Sequence, residues 1–347
     1  MCNTTNKKTI NPIHGVLCNR VSPLDTLAQL GTNSNSEDFE LTASTTQDDK
    51  KTLLKRARRK YFSVALTLSL VDVAKNCNSD LLKSYWNTNH CCRQLSVQGN
   101  NVYANYCKNR WCMVCNSIRT AQLINGYAPV LLDWSDRYMV TLTIKSASED
   151  DLYDLIREMQ RNFSKIRERF KKSFRRGKTA RLVCLRKLEC THNPITNEYH
   201  PHYHLIVKGL ENAKLILKHW KGYFPIERVN EKAQDIRKCD DRSVKELFKY
   251  FTKIISKSKG RQFINSTSLH HIFTCFRGLR VFQPIGCKSL KSEENANKIS
   301  IDFEDIFFEV YEWEQSVTDW VSKETGELFT GYEPTEKFKN LIETKII

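Results

Sequence analysis

Two short segments carry residues whose types and spacing can do chemistry. The first is His200-Pro201-His202-Tyr203-His204-Leu205-Ile206-Val207. Apart from His204, residues 203 to 207 are apolar or β-branched, so the segment reads as a strand, and side-chain alternation puts His202 and His204 on one face. Two imidazoles on one face can grip one divalent ion. His200 shares that face, but Pro201 makes it a residue of the strand entrance. The second segment is Glu246-Leu247-Phe248-Lys249-Tyr250-Phe251-Thr252-Lys253. Val244, Leu247, Phe248, Phe251, Ile254 and Ile255 recur at helical spacing, which predicts an amphipathic helix with Glu246, Tyr250 and Lys253 along one edge of the stripe. Glu246 and Tyr250 fall one turn apart. A phenol there is a candidate nucleophile.

A third metal ligand is expected, and Glu189 is the candidate. Leu182 to Glu189 reads as the strand before the histidine strand, joined to it by the turn His192-Asn193-Pro194-Ile195-Thr196-Asn197, so hairpin pairing brings Glu189 towards His202. A carboxylate with two imidazoles suits Mg²⁺ or Mn²⁺.

Upstream stand Cys92, Cys107, Cys112 and Cys115, with fourteen, four and two residues between successive members. The close pair is a thiolate chelate of the kind that builds tetrahedral Zn²⁺ sites, and Cys91 or His90 can substitute for Cys92. The competing reading is a set of buried reduced thiols. Lys108, Arg110 and Arg119 surround the cysteines, and with Lys249 and Lys253 they are the candidate DNA contacts.

A histidine pair on a strand followed by a Glu-x-x-x-Tyr segment resembles the HUH endonucleases, specifically the single-tyrosine initiators of plasmid rolling-circle replication. The resemblance extends to Tyr138-Met139-Val140-Thr141-Leu142-Thr143-Ile144, to the cysteine segment Cys107 to Arg119 (with Met113 where similar proteins usually have proline) and to the basic glycine turn Arg277-Gly278-Leu279-Arg280. It covers roughly residues 85 to 287. It implies that metal at His202, His204 and Glu189 polarises a scissile phosphate, that Tyr250 attacks to give a 5′-phosphotyrosyl bond and a 3′-OH primer, and that Glu246 activates water at termination. The implied partners are a plasmid origin with its single-stranded nick region, and a host helicase and polymerase. Two alternatives share part of the pattern: an HUH transposase, against which the cysteine segment counts, and a zinc-bearing DNA-binding regulator that does not cut.

The elements that must hold these residues suit an α+β fold, a central antiparallel sheet covered by helices and preceded by a small helical, Cys-rich module. Leu152, Leu155, Ile156, Met159, Phe163, Ile166 and Phe170 predict a helix after the first motif strand, with Ser148 as N-cap and Gly177 beyond its basic end. The expected divisions are an extension over 1–48 without sustained periodicity, a basic helix plus Cys-rich module over 49–125, the nuclease domain over 126–287 and an acidic, aromatic segment over 288–347. Tyr61 to Ala74 reads as a buried helix, and a late strand is expected at Val281-Phe282.

Fifty-five Lys and Arg against thirty-nine Asp and Glu give a formal charge of +16 and a pI near 9.2, the balance of a chain that sits on a polyanion. The basic residues concentrate between Lys50 and Lys60 and between Lys165 and Lys178. Thirteen cysteines, no signal-peptide pattern and no long apolar run point to a reducing, soluble compartment with no membrane partner, and the resemblance implies the cytoplasm of a plasmid-bearing bacterium.

Overall fold

The computed structural model describes residues 48–98, 101–258, 260–290 and 309–346. Residues 1–47 of the expected extension over 1–48, and residues 291–308 of the acidic segment over 288–347, lie outside them.

The α+β architecture expected from the pattern is present. Its centre is a five-stranded antiparallel sheet built from β3 (Arg137–Thr143), β4 (Cys184–Asn193), β5 (Glu198–Lys208), β6 (Asp235–Lys238) and β9 (Phe282–Ile285), in the order β6-β3-β5-β4-β9. The β4–β5 hairpin sets the register that matters: Glu189 pairs with His202 and Lys187 with His204. On the other side of β5, Thr143 pairs with His202 and Thr141 with His204. Pro201 does not end β5, because it lies one residue beyond the last pair with β3.

Helix α4 (Glu149–Arg175) crosses from β3 to β4, and Ser148 caps it by accepting the Asp151 N–H. Its apolar face covers one side of the sheet: Phe163 packs on Tyr203 with ring centroids 5.4 Å apart. Tyr203 and its neighbours alternate with the histidines, so α4 covers the face of the sheet opposite His202 and His204. The chain reverses after α4 through Gly177, at φ 64°, a conformation glycine adopts without strain. Helices α5 (Leu210–Gly222) and α7 (Ser266–Phe276) complete the cover, and a short hairpin, β7 (Ser256–Ser258) with β8 (Arg261–Phe263), precedes α7.

The upstream module comprises α1 (Asp48–Asn76), α2 (Leu82–Asn89), β1 (Gln94–Gln98), β2 (Asn101–Ala104) and α3 (Met113–Leu132). The C-terminal residues return to it. Strands β10 (Glu309–Glu314) and β11 (Asp319–Ser322) extend the β1–β2 pair into a sheet ordered β11-β10-β1-β2, and α8 (Glu336–Thr344) lays Phe338 against Tyr61 and Phe62 of α1. The aromatic residues of the tail therefore close this module, with Trp313 and Trp320 packed edge to face at 4.8 Å.

The predicted tyrosine helix is shorter than its apolar pattern. Helix α6 (Asp241–Phe248) begins with a capping box, in which Asp240 and Ser243 satisfy each other's N–H groups, and it stops before Tyr250, with Lys249 already extended. The apolar stripe serves two cores. Leu247 and Phe248 join Ile124, Met139, Leu185 and Ile206, whereas Tyr250, Phe251 and Ile254 join the main core with Phe273 and Phe276. Phe248 stacks on Phe282 at 5.7 Å and Phe251 on Phe276 at 5.3 Å. One straight helix cannot send consecutive pairs into both, so the chain turns at Lys249.

Candidate functional site

Alternation along two paired strands and their register assemble the central cluster. Lys187 and Glu189 from β4 and His202 and His204 from β5 share the face of the sheet left free by α4. Ligand atoms of Glu189, His202 and His204 lie within 4.8 Å of one another. Glu189 Oε2 is 3.5 Å from His202 Nε2 and 3.9 Å from His204 Nε2. The other ring nitrogens are already engaged: His202 Nδ1 is 3.1 Å from the carbonyl oxygen of His200, and His204 Nδ1 is 3.2 Å from Thr141 Oγ1. These contacts orient both rings with Nε2 towards Glu189, the arrangement in which an imidazole ligates a metal. His200 contributes its carbonyl to this arrangement, and its ring is outside the cluster.

Burial opposes the charged forms of Lys187, Glu189 and His204, and neighbours decide the outcome. Burial alone pushes the Glu189 pKa up, but the Lys187 ammonium, with help from His202 and His204, outweighs it and holds the carboxyl at about 2. Burial brings His204 down to about 4 against the pull of Glu189 and Glu246, so its imidazole is neutral near pH 7. A deprotonated carboxylate beside a neutral imidazole is the donor set a divalent cation requires.

Helix α6 brings Glu246 to the edge of this cluster, its Oε1 3.8 Å from His204 Nε2 and its Oε2 3.5 Å from Lys249 Nζ. Tyr250 is elsewhere. Its hydroxyl donates to the carbonyl of Arg110 at 2.9 Å, and burial raises its pKa well above the ordinary phenol value. The structure thus brings Glu246 to the histidines and seats the Tyr250 phenol on the loop between Cys107 and Cys112. The expectation of Glu246 and Tyr250 one turn apart on one helix is corrected, because α6 ends between them.

Lys187 was not picked out from the sequence. It is buried, it lies 2.6 Å from Glu189 Oε1, and it also donates to the backbone carbonyls of Glu246 at 3.3 Å and Tyr250 at 3.5 Å. One ammonium therefore ties the candidate ligand to both ends of the Glu246–Tyr250 segment. A lysine two residues before a glutamate on a strand with a buried face was the available signal. Lys187→Met is expected to weaken Mn²⁺ binding about 10- to 100-fold, because burial then raises the Glu189 carboxyl with no ammonium beside it to offset the rise. A Mn²⁺ titration followed by electron paramagnetic resonance checks this; an unchanged Mn²⁺ affinity would contradict it.

The second cluster is Cys91, Cys107, Cys112 and Cys115, whose sulfurs lie within 4.8 Å of one another. Cys91 and Cys107 lie 3.4 and 3.7 Å from Cys115. Four sulfurs around Zn²⁺ at about 2.3 Å sit about 3.8 Å apart, so the donor set fits. Backbone N–H groups already point at the sulfurs, from Lys108 to Cys115 at 3.2 Å and from Cys107 to Cys91 at 3.3 Å. The four thiols are bonded to one another: hydrogen bonds from Cys112 and Cys115 drive Cys107 down, while bonds to their partners drive Cys91 and Cys115 up. Cys92, the expected first member, is corrected to Cys91. Cys92 turns through a positive φ of 55°, its N–H bonds to Asn105 O, and its carbonyl accepts the Trp320 indole N–H. Beneath the cluster, buried Lys60 donates to the carbonyls of Asn89 and Cys91 at 2.8 and 2.7 Å. At Met113 the N–H donates to Ser63 Oγ at 3.3 Å, a bond that proline could not make.

Among the candidate DNA contacts, Lys108, Lys249 and Lys253 are exposed. Arg119 is half-buried and braces the cysteine loop by donating to the Lys108 carbonyl at 2.7 Å, and Arg110 reaches the Phe276 carbonyl at 3.5 Å.

An antiparallel sheet with two oriented imidazoles and a carboxylate on one face, beside a four-cysteine module, defines a protein with two candidate metal centres on a basic α+β scaffold. Residues 99–209 match Rep_1, a family described as replication protein, and the match includes Cys107, Cys112, Cys115, Glu189, His202 and His204 and ends before Glu246. The chain is similar to a "Protein rep" of Staphylococcus aureus, 27% identical over 178 residues that cover 45% of this chain and 75% of that protein. It is similar to one of a Bacillus species, 25% identical over 221 residues, 55% of this chain and 70% of that protein. A third, from Streptococcus pneumoniae, is 29% identical over 114 residues, 30% of this chain and 33% of that protein. No solved structure matches. The resemblance to plasmid rolling-circle replication initiators thus has the support of these matches as well as that of the motifs. Among the described residues no helix is long and apolar enough to cross a membrane.

Proposed function

We propose that this protein is a plasmid replication initiator that nicks one strand of its origin. The observation that carries the reading is the convergence of Glu189, His202 and His204 on one face of the sheet, with Glu246 at the edge. Mg²⁺ or Mn²⁺ held by those three residues would polarise a scissile phosphate. This chain's own residues do the rest. Lys187 keeps Glu189 ionised, Thr141 and the His200 carbonyl fix the imidazoles, and Tyr250 supplies the phenol that attacks phosphorus, leaving a 5′-phosphotyrosyl bond and a free 3′-OH. To attack, the phenol leaves the Arg110 carbonyl, and the extended backbone at Lys249 provides a pivot next to the site. Four thiolates at Cys91, Cys107, Cys112 and Cys115 suit structural Zn²⁺, which would hold the loop that carries Lys108 and Arg110.

Glu246 is assigned the water-activating step that ends a round, because it is at the histidine cluster and one-third exposed, within reach of solvent. The test uses supercoiled DNA of the parent replicon with Mn²⁺ or EDTA. Metal-dependent nicking with a covalent protein–DNA adduct is expected. In Glu246→Ala the adduct should still form, while its hydrolytic release slows about 10²- to 10⁴-fold. Binding without nicking in either metal would overturn the reading in favour of a DNA-binding regulator, and undiminished hydrolysis in Glu246→Ala would overturn the role given to that residue.

A further inference from the structure

Half of the chain's formal charge sits in one place that the catalytic reading does not use. Residues 165 to 181 contain nine Lys and Arg and one carboxylate, Glu168, a net of +8 against +16 for the whole chain. All nine cations are exposed. They occupy the second half of α4 and the turn after it, whereas the first turn of the same helix is acidic. Among the described residues, none of Arg167, Lys171, Lys172, Arg175, Arg176 and Lys178 makes an ion pair. Favourable interaction with the helix dipole accounts for Lys172 and Arg175 in the last turn and leaves the others unexplained.

The position is fixed by the core. Phe163, Ile166 and Phe170 are buried, and Phe163 packs on Tyr203, whose strand neighbours His202 and His204 face the other side of the sheet. Arg167, Lys171 and Arg175, four residues apart, therefore form a stripe on the outer surface of α4, with the full thickness of the sheet between them and the candidate metal centre. The neighbouring helix α5 continues the surface: His219 meets Phe170 edge-on at 6.3 Å, and Lys218 beside it is exposed.

We infer that this outer face of α4 is a second nucleic-acid surface, one that grips double-stranded DNA while the opposite face of the sheet handles the strand to be cut. The chemistry favours duplex over the other polyanions. Arg167 to Arg175 spans about 12 Å at 1.5 Å per residue, and duplex DNA presents about one charge per 1.7 Å of its axis, so several phosphates fall opposite one stripe. Single-strand binding surfaces add aromatic platforms for bases, and on the basic half of α4 only Phe174 is an exposed aromatic, at 50%. The inference rests on this chain's being a DNA-binding replication protein; it does not need the tyrosine chemistry.

The test compares the full chain with the triple variant Arg167→Gln, Lys171→Gln and Arg175→Gln, and with the charge-preserving pair Arg167→Lys and Arg175→Lys. Fluorescence anisotropy measures binding to a labelled duplex containing the origin across a salt series. Cleavage of a single-stranded oligonucleotide carrying the nick site is measured in parallel. The triple variant should bind duplex at least tenfold more weakly, with a log Kd against log salt slope smaller by about 2 to 3. It should cleave the single strand within twofold of the parent, and the lysine pair should bind as the parent does. Unchanged duplex affinity and salt slope would overturn the inference and turn the surface over to an acidic protein partner. Failure of the lysine pair, or loss of single-strand cleavage together with duplex binding, would overturn it as a structural effect. A parent protein that binds duplex but never cleaves would sink the nicking reading alone, leaving the duplex comparison readable.

Discussion

Replacing His204 with alanine should reduce metal-dependent nicking by about 10³-fold or more, because a metal ion that polarises a phosphoryl oxygen supplies several kcal/mol and each 1.36 kcal/mol is tenfold in rate. The loss should appear together with weaker Mn²⁺ binding. His202→Ala is expected to behave alike, since its Nε2 approaches the same Glu189 oxygen at 3.5 Å. The fold should tolerate either change, as both rings lie on the face of the sheet left free by α4 and neither belongs to the apolar core. Isothermal titration with Mn²⁺ and a nicking assay on supercoiled DNA give the two readouts. Retained nicking with Mn²⁺ binding intact would remove His204 from the site. Holding the pH near 7 matters in these assays: burial brings His204 down to about 4, so acidification towards that value adds the proton that competes with metal.

The largest expected effect on stability belongs to the four cysteines. Structural Zn²⁺ sites contribute on the order of 10 kcal/mol to folding, and here the cluster joins the loop after β2, the start of α3 and the end of α2. Stripping the metal with a strong chelator, or the change Cys107→Ser, should lower the melting temperature by at least about 10 °C, at 2 to 4 °C per kcal/mol. The protein as purified should hold one Zn²⁺ per chain by atomic absorption. Cys92→Ser distinguishes this assignment from its neighbour: the metal content should remain one, because Cys92 is outside the cluster and Cys91 is in it. One zinc lost on Cys92→Ser and kept on Cys91→Ser would reverse the assignment.

These residues show which parts of the molecule were legible in the sequence. His202 and His204 were legible because strand alternation is rigid, and Glu189 because a hairpin turn fixes register, which proves to be Glu189 opposite His202. Ser148 and Gly177 marked the ends of α4 for local reasons of capping and backbone freedom. Tyr250 was placed on the wrong element, since helical periodicity cannot tell one apolar stripe from two stripes that enter different cores. Cys91 and Cys92 are adjacent, and only the positive φ at Cys92 decides which sulfur turns inward to the other three. The pairing of β10 with β1 joins residues more than two hundred positions apart, so no local signal announced it. Lys187 was overlooked because a lysine in a strand ordinarily reads as surface charge, whereas here its ammonium is spent on Glu189 and two carbonyls.

The central claim is that Tyr250, now held on the Arg110 carbonyl, becomes covalently joined to DNA at the Glu189–His202–His204 centre. The most direct measurement is to incubate the protein with Mn²⁺ and an origin oligonucleotide, digest the adduct with trypsin and identify the DNA-linked peptide by mass spectrometry. A nucleotide on the peptide containing Tyr250, absent with EDTA and absent in Tyr250→Phe, is the predicted result. An adduct on another tyrosine, or nicked DNA with no adduct, would contradict it.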